Sequence, residues 1–135
     1  MVDTSHAPAL GVLEIVHQRD AATLLPIIQR HTKPGTEIWS DEWAAYNSVN
    51  TLPNVSSHQT VNHSLHFKDP VTGVHTNNIE SYWNRVKIKL KRMRGCHRHQ
   101  LPSYLDEFMW FERHGKTPRQ AFNNICRDIA LKYPV

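Results

Sequence analysis

Apolar positions along this chain recur first at strand-like and then at helix-like spacings. The segment Leu10 to His17, LGVLEIVH, has β-branched residues in partial alternation and predicts a strand. Asp20 stands where an N-cap is favoured, ahead of AATLLPIIQRH, whose Leu24, Leu25, Ile27 and Ile28 predict a helix laid against a sheet. Pro26 is expected in the first turn of that helix, where a missing N–H is tolerated. KPG then makes a turn, and TEIWS reads as a short buried strand ending at Asp41. DEWAAYNSV predicts a short helix with Trp43 and Tyr46 three residues apart. Asn54 to His63 predicts a strand of weak alternation, and KDPVTG a turn.

The strongest helical pattern begins at Thr76 or Asn77. Ile79, Trp83, Val86, Leu90 and Met93 keep helical spacing, and Gly95 supplies the stop. Two more helices are expected, over Leu101 to Arg113 and Pro118 to Lys132. The first carries Tyr104, Leu105, Phe108 and Met109, and the second Phe122, Ile125, Ile129 and Leu131. The order β-α-β-α-β-α-α-α is that of an α/β layer architecture in one domain spanning 1–135. Its sheet would have only about three strands, near the lower end for sheets. That suggests a chain opening partway through a larger fold, with Met1 to Asp3 as the stub of a preceding strand.

Composition narrows the function classes. The chain has 135 residues and is 39% hydrophobic, enough for a real core. No apolar stretch approaches the roughly 18 residues of a membrane span, and no basic region followed by an apolar one marks a secretory signal. Two cysteines, Cys96 and Cys126, make no disulfide framework, so an intracellular setting is expected, nuclear in a eukaryote and cytoplasmic otherwise. The formal charge of +4 favours a polyanionic partner. Its distribution says more than its total. From Ser81 to Gln100 there are seven bases (Arg85, Lys87, Lys89, Lys91, Arg92, Arg94, Arg98) and no acid, against nine bases and twelve acids elsewhere.

Two acids stand out within polar-aromatic motifs. Asp41 follows Ser40 at the end of an apolar strand, where open α/β sheets place functional residues. It could equally cap the helix expected after it. Glu80 lies one turn into the long helix, and with Asn77 as N-cap it would form a capping-box variant. Lys87 lies two turns beyond Glu80 on one helical face, with Asn84 between them and Lys91 extending the row. Converging carboxylates could share Mg2+, and neighbouring bases suit phosphate, a pairing that points to phosphoryl transfer on nucleic acid. Nucleic-acid contact through Lys87, Lys91, Arg85, Arg92 and Arg94 would be with the backbone and salt-dependent. His75, five residues before Glu80, would approach a phosphate or orient a ligand, whereas Tyr82 and Trp83 are expected in the core. His63, His66, His75, Cys96, His97 and His99 lack zinc spacing, and neither a supported cysteine nucleophile nor a serine elbow is present.

Three stretches carry a family resemblance: IIQRHTKPGTEIWSDEWAAY, VNHSLHFKDPVTGVHTNNIESYWNRVKIKLK and LPSYLDEFMWFERHG. Together they resemble the DDE transposases of the Merlin superfamily and the related bacterial ISXO-like insertion sequences, from about Gly11 to His114. The resemblance implies a ribonuclease-H-like catalytic domain in which three acids bind two divalent metals for in-line attack on a phosphodiester. It makes Asp41 the second acid, Glu80 the third and Lys87 a DNA-contacting residue. The first acid of such enzymes lies on an upstream first strand, and Asp3 sits beyond where the motif would place it. The expectation is therefore the C-terminal part of a transposase catalytic domain, with a family-like core over about 9–114 and a further helix over 115–135. Such a chain would act on DNA, not on a small molecule or a membrane, with homo-oligomerisation open, and would be catalytically incomplete alone. The alternative is a non-catalytic module that binds DNA or protein through the basic helix.

Overall fold

The computed structural model of the protein describes residues 1–65 and 68–134. The chain divides into two compact units, one of Met1 and Glu14–Ser81, the other of Val2–Leu13 and Tyr82–Val135. Each is described by itself.

The first unit opens with helix α1, Ala21–His31. Asp20 caps it as expected, its carboxylate accepting the Thr23 N–H at 2.8 Å. Pro26 lies in the interior of α1 and not in the first turn, because the helix begins at Ala21. It removes one backbone bond. The apolar face of α1 offsets that loss, with Ile28 buried against Val49 and Leu52 in a cluster that Leu25, Ile38, Tyr46 and Val55 complete. Strands β3, Thr36–Asp41, and β4, Val55–Val61, pair in parallel, from Thr36 opposite Val55 to Asp41 opposite Val61. A register irregularity falls between Thr36 and Glu37.

The helix expected over DEWAAYNSV is not there. Two 3-10 turns, Ala44–Tyr46 and Val49–Thr51, make the crossover instead. Asn47 and Ser48 between them compete for backbone groups more readily than they extend a helix. Val49, fully buried, pins the crossover to α1.

In the second unit the strand expected over Leu10–His17 is reduced to β2, Leu10–Gly11, paired antiparallel with β1, Val2–Asp3. Only these residues have a partner strand. Leu13 instead enters the core with Tyr82, Val86 and Leu105, and its N–H points to the Met109 sulfur at 3.1 Å. Among the described residues, two-stranded sheets β1–β2 and β3–β4 stand in place of the expected three-stranded one. Helix α2, Asn77–Arg92, runs through the division between units. Gly95, at φ +91°, donates to the Leu90 carbonyl and ends it.

Val86 and Leu90 of α2 pack in the core as expected, but of the two aromatics expected there only one does. Tyr82 is fully buried, whereas Trp83 is 44% exposed. Gly11 explains the choice, because a Cβ there would fall 2.1 Å from the Tyr82 ring. A glycine opposite the helix makes a slot for one aromatic ring, and Phe108 closes it edge-on at 5.7 Å. Helices α3, Leu101–His114, and α4, Pro118–Lys132, follow. Contact between them includes Trp110 donating to Asp128 at 3.0 Å and Asn124 donating to the His114 carbonyl at 2.6 Å. Phe122, Ile125 and Ile129 of α4 are exposed.

Burial, and then the nearby Glu112 carboxylate, push the Tyr82 phenol up to about 12. An unfolded tyrosine ionises near 10. The folded chain should therefore lose stability as pH rises from about 10 through about 12. Urea midpoints across that range, compared with those of Tyr82→Phe, check this: the variant should lack most of the decline.

Candidate functional site

Asp41 ends β3 where β4 ends beside it, so the residues following both strands share one opening. That opening is a shallow cleft of about 270 Å3 lined by Asp41, Glu42, Trp43, Val61, Asn62, His63 and Ser64. It lies at the carboxyl end of a parallel pair, where α/β sheets gather ligand-contacting groups. Asp41 is exposed, and its Oδ1 accepts the Trp43 N–H at 3.2 Å. This is an Asx-type turn and not the N-cap of a helix, since none follows. The Tyr46 phenol is pushed up, first by its own burial and then by the charge of Asp41.

Glu80 is exposed in the first turn of α2. Its N–H donates to the Thr76 carbonyl at 3.1 Å, so Asn77 lies inside the helix and does not cap it. The Thr76 hydroxyl donates to Glu80 Oε1 at 3.1 Å, and His63 Nε2 lies 2.7 Å from the same hydroxyl. A polar run therefore leads from a residue lining the Asp41 cleft to Glu80. Sequence reading missed His63 and Thr76 in this role. Their only signal was position, one just past a strand and one just before a helix.

The carboxylate chemistry suits a magnesium-like ion, which takes one or two carboxylates and completes its shell with water and phosphate. Asp41 and Glu80 each have one oxygen in a protein hydrogen bond. Among the described residues no group of three or more histidine, cysteine, aspartate or glutamate side chains gathers to hold a metal. As donor types, one or two carboxylates suit a single ion completed by water and phosphate and fall short of a two-metal cage, and Glu80 is not among the residues lining the Asp41 cleft. His75 is not among the residues lining the cleft. Its ring stands edge-on to Trp39 at 5.5 Å, with Nδ1 buried and unpartnered. His66 lies outside the described residues.

In the second unit the bases of α2 sort into two groups. Arg85 bonds Glu112 at 2.9 Å and the Ala9 carbonyl at 2.8 Å, and its guanidinium covers the Tyr82 ring at 5.0 Å. Lys89, one turn on, bonds Glu107 at 2.8 Å. The acids that pair with these two bases are thus supplied by α3. Asn84, Lys87 and Lys91 share another face, with Arg94 just past the helix end, and all four are exposed. Among the described residues no carboxylate pairs with Lys87, Lys91, Arg92 or Arg94. Trp83 flanks this row, exposed. The nucleic-acid candidates therefore differ in availability: Arg85 is engaged within its own unit, and the other bases face solvent.

Comparison with known proteins gives this arrangement a family. The model of the ISXO2-like transposase domain matches residues 1–112. An uncharacterized transposase-like protein of Haemophilus influenzae is 31% identical over 96 residues, covering 71% of this chain and 75% of that protein. No solved structure matches. The chain belongs to the ISXO2-like transposase domain family. Helix α4 lies beyond the matched residues.

The two groups of bases should separate in stability measurements. Arg85→Met leaves the partly buried Glu112 carboxylate without its ion pair. It should lose about 2 kcal/mol in urea unfolding. Lys87→Met should stay within about 0.5 kcal/mol of the parent.

Proposed function

We propose that this member of the ISXO2-like transposase family acts on DNA through Asp41 and Glu80 as the second and third acids of a DDE set, on a ribonuclease-H-like framework of the Merlin and ISXO type. The observation that carries this reading is the run from the Asp41 cleft through His63 and Thr76 to Glu80. Asp41 and Glu80 would hold Mg2+ or Mn2+. Bound there, the ion would supply charge to a phosphodiester and to the oxygen attacking it. The protein's own contribution is to hold the two carboxylates and to grip DNA. Lys87, Lys91 and Arg94 hold backbone phosphates, with Arg92 flanking and Asn84 donating or accepting beside them. With no third acid gathered among the described residues, the site binds an ion but does not complete strand cleavage and transfer alone.

A second reading, a DNA-binding module without catalysis, draws on that same absence of a third acid and on the unpaired basic row. The two readings part on metal dependence. Homo-oligomerisation belongs with the first, as does a location wherever DNA is held.

Binding to a duplex of arbitrary sequence, measured across a salt series, tests the DNA-facing row. The double variant Lys87→Ala with Lys91→Ala should reduce the slope of log affinity against log salt by about 2. An unchanged slope removes the row from the account. Plasmid nicking with Mg2+ or Mn2+ tests the site: nicking should be weak, and vigorous nicking abolished by Asp41→Ala would refute the claim of incompleteness.

A further inference from the structure

The contacts around Thr76 have a direction set by proton counting. A threonine hydroxyl carries one hydrogen and can accept two bonds. An ionised Glu80 has no hydrogen to give, so the 3.1 Å contact uses the Thr76 hydrogen. His63, at 2.7 Å from the same oxygen, must then donate through Nε2–H. A neutral His63 is thereby held as the Nε2–H tautomer, with Nδ1 left as an acceptor.

We propose that His63 and Thr76 are positioning residues that fix the Glu80 carboxylate, engaging Oε1 and leaving Oε2 for a divalent cation. This rests on Glu80 being a metal ligand, as proposed above. Thr76 is buried and its carbonyl receives the Glu80 N–H, so its hydroxyl is a fixed post at the helix start. Glu80 itself is exposed and would otherwise sample several rotamers. His63 follows β4 and lines the cleft that holds Asp41, so the run ties the orientation of Glu80 to the strand pair carrying the other acid. Partners one layer behind a metal ligand set its orientation, and losing one weakens metal affinity on the order of ten-fold or more. A helix cap with no further role would act on stability alone and would be indifferent to His63.

The test is Mn2+ binding to the full chain, followed by electron paramagnetic resonance. Thr76→Val should weaken binding on the order of ten-fold, while Thr76→Ser, which keeps the hydroxyl, should restore it. His63 is exposed, so its variants should keep the fold, which circular dichroism verifies. His63→Gln, with an amide N–H placed near Nε2, should bind like the parent, and His63→Ala should bind more weakly. Equal affinity in the parent and Thr76→Val overturns the proposal. Nitrogen NMR of the His63 ring decides independently of metal: the Nε2–H tautomer is expected, and an Nδ1–H ring overturns the positioning run. If the parent binds no Mn2+, or Glu80→Gln leaves binding unchanged, the metal reading of the site fails, and the ring tautomer still decides the run.

Discussion

The parallel pairing of β3 with β4 is the constraint from which the candidate site follows. It sets Asp41 opposite Val61, and Val61 is almost fully buried, so the register is fixed by apolar burial. A slip of one residue would exchange the faces of the whole strand and send Val61 to solvent. With the register fixed, both chains leave the sheet at one end, and the residues after Asp41 and after Val61 line one cleft. The crossover that makes parallel pairing possible contains no α-helix. It is two 3-10 turns anchored by the fully buried Val49 and packed on α1. The Ile28–Val49–Leu52 cluster therefore supports the cleft from a distance.

Helix α2 shows how one basic stretch serves two purposes. Arg85 and Lys89 lie one turn apart and meet Glu112 and Glu107 of α3. The half-buried Arg85–Glu112 pair is made costly to break by the extra bond to the Ala9 carbonyl and by the Tyr82 ring beneath it. Lys87 and Lys91, on another face, have no such partner among the described residues. They keep their charge available to a polyanion. A helix with no acid beyond Glu80 in its first turn is therefore a mixture of structural bases and solvent-facing ones.

Several of these features could be read from the sequence. The Asp20 cap, the end of β3 at Asp41, the span of α4 and the glycine stop of α2 follow from local chemistry, and all appear. The ISXO-like resemblance was legible too, and the family match over residues 1–112 agrees with it. What failed depended on partners far along the chain. LGVLEIVH reads as a long strand, but only Leu10 and Gly11 find another strand to pair with. Tyr82 and Trp83 are both plausible core residues until Gly11, seventy-one positions before Tyr82, opens a slot that only Tyr82 can enter. Arg85 looked like any other base of the run because Glu112 lies on a different helix. His63 and Thr76 have no chemistry of their own at sequence level, and acquire it only when the end of β4 and the start of α2 come together.

The central claim is that Asp41 and Glu80 serve a single cation site. Mn2+ titrated into nitrogen-labelled protein tests it directly, since a bound paramagnetic ion broadens the amide signals nearest to it. The account predicts one saturable event that broadens Trp43, His63 and Glu80 together, and that either Asp41→Asn or Glu80→Gln weakens as a whole. Broadening at one acid that persists unchanged when the other is neutralised would contradict it.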